Sequence, residues 1–320
     1  MCILATFYRL THLKIQRMKK RIAVAALAFI ALKGIAQQDP QLSMNMFNRM
    51  AVNAGYAGTT GSICATAIGR NQWMGFEGNP STFVLNLDAP VNALKGGLGL
   101  SIMSDQIGVE NSVHAKLAYS YHYKLGDGTL GGGLDIGIIN KTLGKGLNPL
   151  QTGDQSIPNS ELSATAFDVG LGAYYTSQTF YAGISANHLP QSTFDMGSVQ
   201  YKSRMHIYFM GGYNLQLANP DLMVVPSIFV KNAASTQLDL NCNVHYKSRY
   251  FGGLSYRMQD AIVVMLGGNV WKDLKLGLAY DVNTSKLNPY NNGTLEFMLN
   301  YCFKIKIEKP RQVYRNVRYL

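Results

Sequence analysis

The residues most able to do chemistry are spaced so that they do not combine. Five histidines lie beyond residue 36: His114, His122, His188, His206 and His245. His114 and His122 would share one face of an extended strand. Eight residues separate them, about 27 Å along that strand, which is too far for a shared metal ion. No Glu–His constellation stands near any of the five, so neither a metal nor a cofactor is expected, and polar lining is the plainer role. The serines lack a GxSxG elbow. The glycine runs Gly96-Gly97-Leu98-Gly99 and Gly131-Gly132-Gly133 have no Walker lysine and no strand–loop–helix setting. They read as places where a strand bends or another backbone comes close. Cys64, Cys242 and Cys302 are odd in number and far apart, neither a disulfide framework nor a CxxC site, and read as small apolar strand residues. No catalytic set emerges, and the chain is not expected to be an enzyme.

The elements that carry these residues alternate with period 2, which sends successive side chains to opposite faces of a sheet. In Gln237–Tyr246, Leu238, Leu240, Cys242, Val244 and Tyr246 alternate with Gln237, Asp239, Asn241, Asn243 and His245. In Thr294–Phe303, Leu295, Phe297, Leu299, Tyr301 and Phe303 alternate with Thr294, Glu296, Met298, Asn300 and Cys302. Val113–Lys124, Phe167–Tyr175 and Leu274–Val282 repeat the pattern. Expected strands fall near 62–72, 81–91, 96–105, 110–124, 128–141, 162–176 and 178–188. The others fall near 204–217, 221–231, 235–247, 249–258, 261–270, 272–283 and 293–304. Many are longer than the ~5–6 residues of a soluble strand and suit a tilted membrane strand of ~9–11. Several gaps after odd strands are long and those after even strands are tight, the layout of outer-membrane barrels. The expected fold is all-β: a transmembrane antiparallel β-barrel of about fourteen strands, apolar face outward and polar face inward, with periplasmic termini. Tyr121, Tyr123, Tyr174, Tyr175, Tyr246, Tyr280 and Tyr301, near strand ends, would form the aromatic girdles.

Composition agrees. Hydrophobic residues make up 47% and charged residues 15%, against roughly 25% charged in soluble domains. Residues 1–36 carry seven Lys/Arg and no acid, while 304–320 carry six against Glu308 alone. The 16 basic and 17 acidic residues between leave a body of −1, so no basic face for nucleic acid is expected. Met18-Lys19-Lys20-Arg21, the apolar run Ile22–Leu32 and Gly34-Ile35-Ala36 form a secretion signal with cleavage after Ala36. The run is too short for a spanning anchor. Residues 1–17 read as lying upstream of the true start at Met18. The expected layout is therefore a signal peptide at 1–36, a periplasmic or luminal segment at 37–61, the barrel at 62–304 and a basic periplasmic tail at 305–320, the whole in a bacterial outer membrane.

Two stretches stand out as contacts. Gly69–Gly78, with Arg70, Trp73, Phe76 and Glu77, falls in the first outer loop. It is either an aromatic-belt residue beside a glycine turn or an ordered loop that meets the barrel mouth or a partner. The tail, with Arg311, Arg315 and Arg318, is either solvated slack or a periplasmic docking segment.

Several landmarks resemble the PorP/SprF family of outer-membrane proteins. They are Gln37-Gln38-Asp39-Pro40-Gln41, Met46-Phe47-Asn48, Asn53-Ala54-Gly55-Tyr56-Ala57-Gly58 and Arg70–Gly78 with Pro80 and Thr82. Gly97-Leu98-Gly99-Leu100, Asp105-Gln106-Ile107-Gly108 and Leu295–Phe303 extend the likeness. Arg49, Gly55 and the ending Arg318-Tyr319-Leu320 depart from the family's pattern. The resemblance implies a non-enzymatic barrel of the type IX secretion system of Bacteroidetes. It would help large secreted cargo proteins, often adhesins of gliding motility, reach or stay on the surface. Its partners would be outer-membrane lipid, the cargo's C-terminal domain outside and secretion-machine components in the periplasm. The alternative from another class is a FadL-like or porin-like barrel for small or hydrophobic solutes. Whether the lumen is plugged separates the two.

Overall fold

The computed structural model describes residues 39–145, 160–197 and 199–303. The expected signal peptide and the expected basic tail beyond Phe303 lie outside the described residues. The first seven barrel strands are β1 (Ile63–Asn71), β2 (Ser81–Val91), β3 (Gly96–Ile107), β4 (Glu110–Leu125), β5 (Gly128–Leu143), β6 (Leu162–Thr176) and β7 (Phe180–Asn187). The next are β8 (His206–Tyr213, continued by Leu215–Gln216), β9 (Leu222–Asn232), β10 (Thr236–Tyr246) and β11 (Tyr250–Arg257). The last are β12 (Ala261–Trp271), β13 (Leu274–Asn283) and β14 (Thr294–Phe303). Each lies within two residues of its expected bounds. All neighbours are antiparallel and consecutive, and β14 pairs with β1, so the ring closes. Closure leaves no strand edge unpaired, as a sheet in lipid requires.

The alternation sorts side chains as expected. Leu240 is 48% exposed on the outer face, while Asn241 beside it is 5% exposed and faces the lumen. Exposed Leu254, Ile262, Val264, Leu266, Phe297 and many more form a continuous apolar band. In water such a band would be an association hazard, and in a bilayer it is the lipid contact. Tyr121, Tyr123, Tyr246, Tyr280 and Tyr301 stand on this outer face. Tyr174 does not: it is fully buried and points inward, because the period-2 pattern that puts Tyr175 outside must put its neighbour inside.

A second correction concerns the cysteines. Cys64 and Cys302 form a disulfide across the β1–β14 seam, although 238 residues separate them in sequence. They are direct register partners, so barrel closure brings together two residues that spacing alone kept apart. Cys242 alone is free among the described residues, exposed on the outer face.

Candidate functional site

The lumen is occupied by the chain's own N-terminal segment. Residues 39–62 run through it as three single 3₁₀ turns, Asn45–Phe47, Arg49–Ala51 and Ala54–Tyr56. Side chains of the wall had to be removed to admit this backbone. A Cβ on Gly131 would stand 2.1 Å from the Gly55 oxygen, and one on Gly133 2.3 Å from the Ala54 carbonyl carbon. The glycine run of β5 is thus the bed on which the segment lies.

The strongest anchor is a buried ion network. Arg70 (β1) donates to Glu296 (β14) at 2.9 Å and to Asp281 (β13) at 2.8 Å. Arg257 (β11) reaches Asp239 (β10) at 3.3 Å and Asp281 at 3.2 Å. Into this net the segment inserts Ser43. Its backbone N–H and that of Met44 donate to the two Glu296 oxygens at 2.7 and 2.8 Å. Its hydroxyl donates to Asp281 and accepts from Arg70 at 2.8 Å. Three buried carboxylates, with the more exposed Asp260 beside Arg257 at 3.5 Å, face two guanidiniums, and the backbone donors satisfy part of the excess negative charge. Beside it, Met44 and Met46 pack with Ile68, Phe251, Val263, Met265, Ala279 and Met298.

Further anchors follow along the segment. Arg49 donates to the Tyr174 hydroxyl at 2.7 Å and lies 3.7 Å over the Tyr181 ring, a cation–π contact away from water. Asn53, fully buried, donates to the carbonyls of Ala173 and Ile184. The Gly58 N–H donates to Asp88 at 3.0 Å.

At the other end of the segment, histidines from separate elements converge on Asp39. His188, immediately after β7, is 3.0 Å from Asp39 through Nε2 and 3.0 Å from Asp168 through Nδ1. His206 accepts the Asp39 N–H at 3.2 Å, Tyr208 donates to its carboxylate at 3.0 Å, and Lys231 donates to its carbonyl at 2.8 Å. Lys116 pairs with Asp168 at 2.9 Å, and His114 stacks edge-on to His188 with centroids 5.9 Å apart. Burial alone would raise the Asp39 pKa, yet His188 and His206 beside it hold the carboxyl well below its usual range. His114 and His122 share β4, His188 follows β7, and His206 and His245 lie on β8 and β10. What the spacing hid is that His114 on β4, His188 just after β7 and His206 on β8 converge on one point of the lumen.

The residues singled out in the sequence separate. Arg70 is not in a loop: it is the penultimate residue of β1, 3% exposed, and belongs to the ion network. Residues 72–80 form a loop held by backbone hydrogen bonds to neighbouring loops. Met74 exchanges backbone hydrogen bonds with Asn292 and Gly293 of the β13–β14 loop, at 2.7 and 2.8 Å. The Gly108 N–H of the β3–β4 turn donates to the Gly78 carbonyl at 2.9 Å, and the Trp73 N–H donates to Thr294 Oγ1 at 3.1 Å. Phe76 and Glu77 remain exposed at the loop tip. Arg311, Arg315 and Arg318 lie outside the described residues.

Residues 34–301 match the family model for the type IX secretion system membrane protein PorP/SprF. The chain belongs to this family. A PorP/SprF barrel is the fold of a secretion-system membrane protein, and the outer membrane is where such barrels reside. No curated protein matches the chain. Among solved structures, the Acinetobacter baumannii outer membrane protein Omp33 is similar at 10% identity and TM-score 0.41, covering 76% of this chain and 99% of that one. The CymD monoaromatic hydrocarbon channel is similar at 10% identity and TM-score 0.48, covering 78% and 89%. A Pseudomonas aeruginosa FadL homologue gives 10% identity and TM-score 0.42 over 77% and 89%.

Proposed function

We propose that this PorP/SprF barrel is a non-enzymatic accessory of type IX secretion. It helps particular large proteins, gliding adhesins among them, reach and remain on the cell surface. The observation that carries this reading is the occupied lumen: the segment from Asp39 to Gly58 is anchored at both ends and along its length. A barrel filled in this way serves as a scaffold. The signal peptide exports it, the long loops face outward, and both barrel termini are periplasmic. The exposed tip with Phe76 and Glu77, held rigid by the Trp73 backbone, meets the cargo's C-terminal domain. Arg311, Arg315 and Arg318 of the tail meet periplasmic components of the machine. Charges in water act over about 8 Å at physiological salt.

One feature favours the second reading, passage of small or hydrophobic solutes. A small cavity of about 50 Å³ lies between the segment and the wall, lined by Leu42, Val52, Val84, Met103 and Phe229 together with polar Lys116 and Lys231. Two measurements separate the readings. Truncation after Phe303, or Arg311→Gln, Arg315→Gln and Arg318→Gln together, should leave the barrel heat-modifiable on gels but remove cargo from the surface. Purified protein in planar bilayers should show no porin-sized conductance. Normal cargo display in cells lacking the barrel, together with porin-sized conductance, would transfer the argument to solute passage.

A further inference from the structure

We propose that Asp39, His114 and His188 form a binding site for a zinc-class dication that clips the start of the luminal segment to the barrel wall. One ligand atom from each of the three lies within 4.8 Å of the others. Donor atoms around a tetrahedral ion at ~2.0–2.1 Å stand about 3.4 Å apart, so closing the set needs side-chain adjustments of roughly 1 Å.

The surroundings orient the donors. His188 holds Asp168 through Nδ1 at 3.0 Å, which turns Nε2 toward Asp39. This is the carboxylate–histidine relay that fixes the tautomer of a metal-binding imidazole. Ser112 Oγ, 2.8 Å from Nε2, orients His114. A third imidazole stands behind: His206 Nδ1 contacts the Arg204 carbonyl at 2.9 Å, which leaves Nε2 as an acceptor facing Asp39. His114, His188 and His206 are all buried, 9%, 2% and 3% exposed, so their rings are held rather than sampling solvent.

Charge favours a cation. Lys116 is taken up by Asp135 and Asp168, and Lys231 reaches the Asp39 backbone carbonyl, so among the described residues the Asp39 carboxylate bonds an imidazole and a phenol but no ammonium group. Two imidazoles and one carboxylate are borderline donors suited to zinc and its neighbours, not the all-oxygen set of calcium or magnesium. Three protein ligands leave a fourth position for water. Binding would tie β4, the residue after β7 and the luminal segment to one ion. The ion displaces any proton on the ligand nitrogens, since a metal takes neutral imidazole.

The test uses the full chain after signal removal, purified in detergent without a histidine tag and carrying Cys242→Ser. Dialysed protein is titrated with Zn²⁺ by calorimetry, bound metal is counted by mass spectrometry, and Co²⁺ is added to read visible ligand-field bands. The expectation is one Zn²⁺ per chain and Co²⁺ bands typical of a nitrogen–oxygen tetrahedral set. His114→Phe and His188→Gln should each weaken binding by 100-fold or more, beyond the 10–100-fold of a lost outer-shell partner. His245→Ala, elsewhere in the lumen, should leave binding unchanged. His114 donates no hydrogen bond to the luminal segment, so its variant decides the matter if His188→Gln fails to fold. No stoichiometric Zn²⁺ on the parent protein, or unchanged affinity in a heat-modifiable His114→Phe barrel, overturns the proposal.

Discussion

Replacing Glu296 should release the luminal segment without unfolding the barrel. The side chain is fully buried and accepts three hydrogen bonds, from the Ser43 and Met44 backbones and from Arg70. In Glu296→Ala, Arg70 keeps Asp281, but the two amides lose their acceptor in a site closed to water. Removing one partner of a buried ion pair costs about 3–5 kcal/mol. The backbone of residue 296 still pairs with Arg70 and Ala279, so the ladder does not bear that cost. The segment does, because its amides regain partners only by leaving. At about 1.4 kcal/mol per factor of ten, the released population should rise by roughly two to three and a half powers of ten. Glu296→Gln should do less, by about one power of ten: its amide oxygen still accepts one N–H, and Arg70 and Arg257 then balance Asp239 and Asp281. The assay is maleimide labelling of Met46→Cys, a buried position, in a Cys242→Ser background. When opening is fast relative to labelling, the rate follows the open population. A labelling rate in Glu296→Ala within threefold of the parent, on a barrel that still migrates as folded, would refute the assignment of Glu296 as the anchor.

Three further outcomes follow from the strand geometry. Leu240→Arg, on the lipid face, should lower outer-membrane levels at a cost of about 2–4 kcal/mol, while Asn241→Arg, on the lumen face, should be tolerated better; equal levels would contradict the facing. Cysteines at Phe76 and Asp127 on intact Cys242→Ser cells should differ, with an impermeant maleimide labelling the first and not the second. Cys302→Ser should lower the unfolding temperature of the barrel on gels; closing a 238-residue loop is worth about 5.5 kcal/mol by chain entropy, and an unchanged temperature would make the cross-link dispensable.

The barrel was legible because each strand writes its own face. Leu240 beside Asn241, or Phe297 beside Glu296, states inside and outside within two residues, and no distant partner is needed to read it. The luminal site was not legible for the opposite reason. Glu296 meets Ser43 across 253 residues and His188 meets Asp39 across 149, and which inward side chains meet depends on stagger around a closed ring. Cys64 and Cys302 failed to suggest a bond on the same ground. For Arg70, the neighbours Gly69 and Trp73 suggested a loop, whereas the β1 ladder runs on to Asn71.

The overall charge of the barrel body acquires a structural meaning from this arrangement. A body of 16 basic and 17 acidic residues reads in the sequence as merely neutral. In the fold, several of those charges are buried in the lumen and arranged against each other: Arg70 and Arg257 against Asp239, Asp281 and Glu296, Lys116 against Asp135 and Asp168. A water-filled pore could leave its lining charges solvated and unmatched. A filled lumen cannot, since each desolvated charge must find a counter-charge or a donor. The segment supplies what the wall lacks, amides to Glu296, a hydroxyl to Asp281 and a carboxylate to His188. Wall and segment are therefore electrostatically incomplete without each other, and that mutual need holds residues 39–62 inside a barrel whose ladder would close without them.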